Sequence, residues 1–150
     1  MDIYTVATKD ISMILLIVAG AGALKQIFTD SGVSMALAEG IQSWDMHPLI
    51  LAWLITAVIR VAVGSATVAG LTTAGIIAPL VPTLNVDPNL LVLSIGAGSL
   101  VFSHFNDGGF WMFKEYFNLS IKDTLRSWTL METVVAVAGL GGVLLLDLFL

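Results

Sequence analysis

Cysteine is absent from this chain of 150 residues, which excludes disulfides, thiolate metal sites and thiol catalysis. Charge is almost as scarce. Only 11% of the residues are Asp, Glu, Lys or Arg, against about 25% in soluble domains. Apolar residues reach 57%, where about 45–50% is usual, and the mean hydropathy is +0.96. A soluble globular class does not fit; the chain reads as an all-α, polytopic integral membrane protein. The formal charge of −5 carries little information, because topology follows Lys and Arg placement rather than net charge. With two histidines in the whole chain, and no second histidine or carboxylate at ligand spacing, neither a metal nor another cofactor is expected.

Length sets a second bound. A spanning helix takes roughly 20 residues, so there is room for about five or six membrane segments. That is small for an alternating-access transporter, which commonly holds two related repeats around a central site. One repeat of a longer protein, or a chain that works as an oligomer, is therefore expected. A signal peptide over the first residues is disfavoured, because Asp2 and Asp10 stand where a positive n-region belongs.

What the chain does have is long apolar sequence with two small polar breaks. The first is Gly64-Ser65-Ala66-Thr67, between the apolar runs 48–63 and 68–82. The second is Ser103-His104-Phe105-Asn106-Asp107-Gly108-Gly109, between the run 88–102 and the aromatic stretch from Phe110 to Phe117. In hydrocarbon an unpaired backbone group costs several kcal/mol, so such breaks are tolerated only where protein or a water-filled cavity covers them. Paired broken segments are the best pointer in sequence to the binding site of a secondary transporter.

Around the breaks the pattern predicts a membrane helix over 11–28 and an interfacial helix over 31–44. In the latter, Val33, Leu37, Ile41 and Trp44 recur at helical spacing. The stretch 48–82 is too short for two straight spans, since sixteen residues rise about 24 Å against a hydrocarbon core of about 30 Å. A re-entrant hairpin turning at Gly64–Thr67 fits better. Asp87 and Pro88 are helix-start chemistry and open a broken helix over 88–118. A polar connector with capping spacings at Ser120/Asp123 and Thr129/Glu132 leads to a last span over 128–149. Lys114, Lys122 and Arg126 put that connector in the cytoplasm by the positive-inside rule.

Each break offers chemistry. At the first, Ser65 and Thr67 supply hydroxyls and Gly64 lets a ligand approach backbone. A helix starting there aims free N–H groups and a positive dipole end at an anion; the bland reading is that the hydroxyls satisfy a helix bend. At the second, Asn106 and Asp107 can cap the next half-helix or face a ligand, and Ser103 adds a hydroxyl. Asp107 is a candidate proton-coupling carboxylate, because ionisable groups at membrane depth are usually functional. His104 is the other candidate, since histidine is the side chain suited to proton handling near neutral pH. Arg60 is the lone charge inside 48–82 and costs at least about 2.5–3.5 kcal/mol to place there. It is expected to have an internal partner, either Asp107 or a substrate carboxylate. Glu132, one turn into the last span, reads as a first-turn cap in preference to a buried functional acid, and the aromatics from Phe110 to Phe117 read as an interfacial belt.

Three stretches carry a family resemblance: GSATVAGLTTAGIIAPL (64–80), SHFNDGGFWMFKEYFNLS (103–120) and the SW-T-L-M-E-T sequence of 127–133. They resemble the C-terminal part of the gluconate permease family, and the similarity extends from about Gly20 to the end of the chain. The 103–120 segment is long and compositionally unusual, so it is the specific part of the match. The resemblance implies a proton symporter for gluconate or a related sugar acid in the bacterial inner membrane. It implies two inverted repeats, each with a re-entrant hairpin and a broken helix, moving in an elevator-like way against a scaffold. Members are much longer, so this chain would be the second repeat, and its partners would be the missing N-terminal repeat or further copies. The expected roles are then Gly64, Ser65, Thr67, Ser103, Asn106 and Arg60 for the sugar acid, and Asp107 or His104 for the proton. Besides substrate, proton and lipid bilayer, no nucleic acid partner is expected. A transporter of another organic or inorganic anion shares every one of these features, and a partial, non-transporting subunit stays open. An enzyme is disfavoured, because His104 beside Asp107 is the only hint of a catalytic pair.

Overall fold

In a computed structural model, the chain is described continuously over residues 46–150 and at scattered positions before them. The segments expected over 11–28 and 31–44 fall outside that continuous stretch. Within it every regular element is helical. Helix α1 (Pro48–Val63) starts with its proline in the first turn, where the missing N–H costs nothing. It ends at Gly64, whose φ of 83° lets its N–H return to the Arg60 carbonyl at 2.8 Å. Helix α2 (Ala66–Ile77) follows at once, with the Ser65 hydroxyl accepting from the Val68 N–H at 3.3 Å. A 3₁₀ turn over Val81–Thr83 then leads to α3 (Pro88–Gly98). Asp87 caps α3 by accepting from the Asn89 N–H at 2.7 Å, as the Asp-Pro pair predicts.

Helix α3 stops short of the polar break. Gly96, Gly98 and Ser99 crowd its end, and the Ser99 hydroxyl donates to the Gly96 carbonyl at 2.7 Å, an alternative to continued helix that weakens an already glycine-rich end. Irregular backbone then runs through Phe102, at φ 50°, to Asp107. Helix α4 (Gly108–Tyr116) restarts there with Asp107 as its cap. Helix α5 occupies Ile121–Asp147, with a π turn over Leu125–Thr129. It begins earlier than the expected 128 because the Ser120 cap works, accepting from the Asp123 N–H at 3.2 Å. The second capping pair does not: Thr129 has helical dihedrals and no side-chain cap bond, since the helix already passes through it.

The core lies where α1, α3 and α5 pack together, with Leu49, Ala52, Leu90, Leu91, Ile95 and Val143 buried. Small residues set the spacing. A methyl on Gly98 would stand 2.5 Å from the Trp53 carbonyl oxygen, and one on Gly139 would stand 2.9 Å from the Ala97 methyl. Such close approach is how helices associate where apolar burial gives no drive. Polar side chains tie the same faces: Ser94 donates to the Leu49 carbonyl at 2.5 Å and the Trp53 indole to the Ala136 carbonyl at 3.1 Å. The outer faces stay apolar, with Val58, Val92, Leu130, Val134 and Leu145 all exposed. Among the described residues, α5 is the helix long and apolar enough to cross a membrane.

Candidate functional site

The two polar breaks meet. Arg60 lies one turn before the end of α1 with its side chain 2% exposed, and its guanidinium reaches both of them. Its Nη1 donates to the Gly64 carbonyl at the first break. Its Nη2 donates to Asp107 Oδ2 at the second, at 2.6 Å. Asp107 is held from other directions as well. The Ser103 hydroxyl donates to Oδ2, and the Gly109 N–H donates to Oδ1 at 2.9 Å. One carboxylate thus caps α4 and partners a buried arginine, which joins the two roles foreseen separately for it.

Asn106 closes the junction from the other side. Its amide donates to the Val61 carbonyl at 3.0 Å, supplying a partner to backbone near the unwinding end of α1. Its own backbone lies so close to Gly64 that a methyl there would overlap it. Gly64 is therefore required twice, by its φ of 83° and by this contact. Ser103, fully buried, anchors the irregular segment to α5: it accepts from the Trp128 indole at 2.9 Å, and its carbonyl accepts from the Thr129 hydroxyl. The Thr133 hydroxyl accepts from the Phe102 N–H at 3.2 Å. Irregular backbone buried in an apolar protein needs such partners, and here α5 provides them.

Of the residues singled out from sequence, Arg60, Gly64, Ser103, Asn106 and Asp107 are brought together. Ser65 adjoins them with its hydroxyl turned to its own helix as a cap, and Thr67 is exposed in the first turn of α2. His104 is turned elsewhere. Its Nδ1 is 2.9 Å from the Phe102 carbonyl, and its ring packs edge-on to Phe105 at 4.8 Å. The aromatic stretch is not uniformly a surface belt either: Phe110 is fully buried, whereas Tyr116 is 87% exposed.

For Glu132 the geometry fits the less favoured of its two readings, a buried acid rather than a cap. Its carboxylate faces Arg60 from α5, with Oε2 3.6 Å from Nη2 and a side chain 14% exposed. That oxygen is buried without a hydrogen-bond donor, and so is the Nε of Arg60 without an acceptor. Its signal in the sequence was the one that marked Arg60 and Asp107, an ionisable residue inside an apolar stretch. One guanidinium therefore faces two carboxylates in a largely buried site.

The chain matches the model of the GntP family permeases over residues 1–149. It is 50% identical over 147 residues to a high-affinity gluconate transporter of Escherichia coli K12, covering 98% of this chain and 34% of that protein. A gluconate permease of Bacillus licheniformis is 51% identical over 149 residues, with 99% and 33% covered. The Gnt-II system L-idonate transporter of E. coli K12 is 47% identical over 147 residues, with 98% and 34% covered. The chain thus spans about a third of the length of these relatives. No solved structure matches it.

Proposed function

This chain belongs to the GntP permease family, and we propose that it forms part of a symporter carrying gluconate or a related sugar acid, with a proton, across the bacterial inner membrane. The observation that carries this reading is the Arg60–Asp107 contact, which ties the breaks after α1 and after α3 into one polar junction. Two interrupted helices converging within an apolar protein are the arrangement that builds a transport site. In this reading α1 and α2 are the arms of a re-entrant hairpin, and α3 and α4 the halves of a broken spanning helix. The rest of the permease supplies the facing half of the cavity.

The chemistry suits an organic anion. Helices α2 and α4 both begin at the junction, so their positive ends favour a carboxylate. Ser65 and Thr67 on the first turn of α2, with backbone at Gly64, hold the acid end of the solute. Asn106, exposed beside Gly64, bonds its hydroxyls. Arg60 and Ser103 keep Asp107 in place rather than meeting solvent. The names of the relatives support a sugar acid: two are gluconate carriers and one an L-idonate carrier.

Competition tests the substrate class. Labelled gluconate uptake by a permease of the relatives' full length carrying this segment should be blocked by excess unlabelled gluconate and L-idonate. Inorganic anions and short hydroxy acids should leave it unchanged. Equal inhibition by an inorganic anion would contradict the sugar-acid reading.

A further inference from the structure

We propose that Glu132 takes up the coupled proton, and that its protonation is what admits the anionic solute beside Arg60. The proposal deepens the symporter reading above and rests on it for the identity of the coupled ion. It stands on the arrangement of three side chains from three parts of the chain. Arg60 comes from α1, Asp107 from the cap of α4 and Glu132 from α5.

The three acidic or basic candidates are not equally placed to take up a coupled proton. Asp107 has both oxygens engaged, Oδ2 by Arg60 and Ser103 and Oδ1 by the Gly109 N–H. Protonating it would displace a donor and loosen the cap of α4. His104 stands outside the cluster: its Nδ1 faces the Phe102 carbonyl and its ring packs on Phe102 and Phe105, so a proton on its other ring nitrogen would leave the charges around Arg60 unchanged. Glu132 keeps a buried oxygen with no donor, 3.6 Å from a guanidinium whose Nη2 is already committed to Asp107 at 2.6 Å. A proton arriving at the cluster finds its open lone pair there.

Charge then links proton to solute. With both acids ionised, the cluster of Arg60, Asp107 and Glu132 is one negative charge in excess, and a sugar-acid anion is repelled. A proton from the water on one side adds to Glu132 Oε2, forms the neutral carboxyl and leaves the cluster balanced. The anion is then accepted, and the O–H bond breaks to release the proton on the other side. Each ligand raises the affinity for the other, which is the thermodynamic content of coupling.

Infrared difference spectra between acidic and alkaline pH test the assignment without relying on transport. The reconstituted full-length permease should give a carboxylic-acid C=O band that is lost in Glu132→Gln and kept in Asp107→Asn. Retention of the band in Glu132→Gln, or the absence of any such band in the unsubstituted protein, would overturn the proposal. Transport gives the second readout. Each unit of pH gradient should concentrate the solute about tenfold for one coupled proton; Glu132→Gln should reduce this to equal concentrations inside and outside. Exchange of internal for external gluconate should persist in that variant, and Glu132→Asp should restore accumulation. Loss of exchange in a folded Glu132→Gln protein would make Glu132 a structural or binding residue and refute the coupling role. A protein that shows the band but moves no gluconate would sink the substrate reading and leave Glu132 as the proton site.

Discussion

Gly64 and Asn106 are in backbone contact across the two helix breaks, so close that no side chain fits on the glycine. The contact brings the end of α1 against the segment that leads into α4. It places the Asn106 amide on the Val61 carbonyl and Asp107 on Arg60. The junction depends on a missing methyl group as much as on its charges.

Gly64→Ala should therefore be costly. The left-handed backbone alone costs roughly 1–2 kcal/mol for an L-residue, and the overlap with Asn106 adds to it. Gly96→Ala is the matched control, since nothing lies within 4 Å of a methyl there and alanine is the better helix former. Thermal melting in detergent should drop for the first and hold or rise for the second.

The Arg60–Asp107 pair should behave as a unit. With Glu132 protonated, removing one partner of this buried pair leaves an uncompensated charge and costs about 3–5 kcal/mol, whereas removing both can be nearly neutral. At acidic pH, where Glu132 carries its proton, Arg60→Gln and Asp107→Asn should each lower the melting temperature in detergent. Their combination should melt above at least one of the single variants. Additive losses would show that the two side chains are independent.

Ser103→Ala should loosen the second break. The change removes a donor to Asp107 and leaves the half-buried Trp128 indole N–H without its acceptor. An unsatisfied buried polar group costs about 1–3 kcal/mol. Hydrogen exchange of the Phe102 and Asp107 amides should speed up, because the Thr133 and His104 contacts that hold them rest on the same anchor. Unchanged exchange would refute the anchoring role.

Much of this site was legible in the sequence, for local reasons. Pro48, Gly64, Ser65 and the Asp87-Pro88 pair are punctuation that acts within one helical turn, and each does in the structure what its chemistry dictates. The rarity of charge in apolar sequence marked Arg60 and Asp107 for the same reason. In sequence Glu132 reads as a cap ahead of a buried functional acid because Thr129 precedes it at capping spacing. That inference assumed a helix beginning at 129, whereas α5 runs through this point from Ile121 with a π turn. The partner that gives Glu132 its meaning lies on α1, and no local pattern encodes that packing. His104 illustrates the converse: its residue type drew attention, and only the fold reveals its ring turned to Phe102 and Phe105.

The most direct test of the account is uptake of labelled gluconate into proteoliposomes holding the full-length permease, with and without an inward proton gradient. The account predicts accumulation above the external concentration only when the gradient is present, and its loss when Arg60 is replaced by Gln. Gradient-independent equilibration, or full accumulation by Arg60→Gln, would contradict a proton-coupled site built on the Arg60 junction.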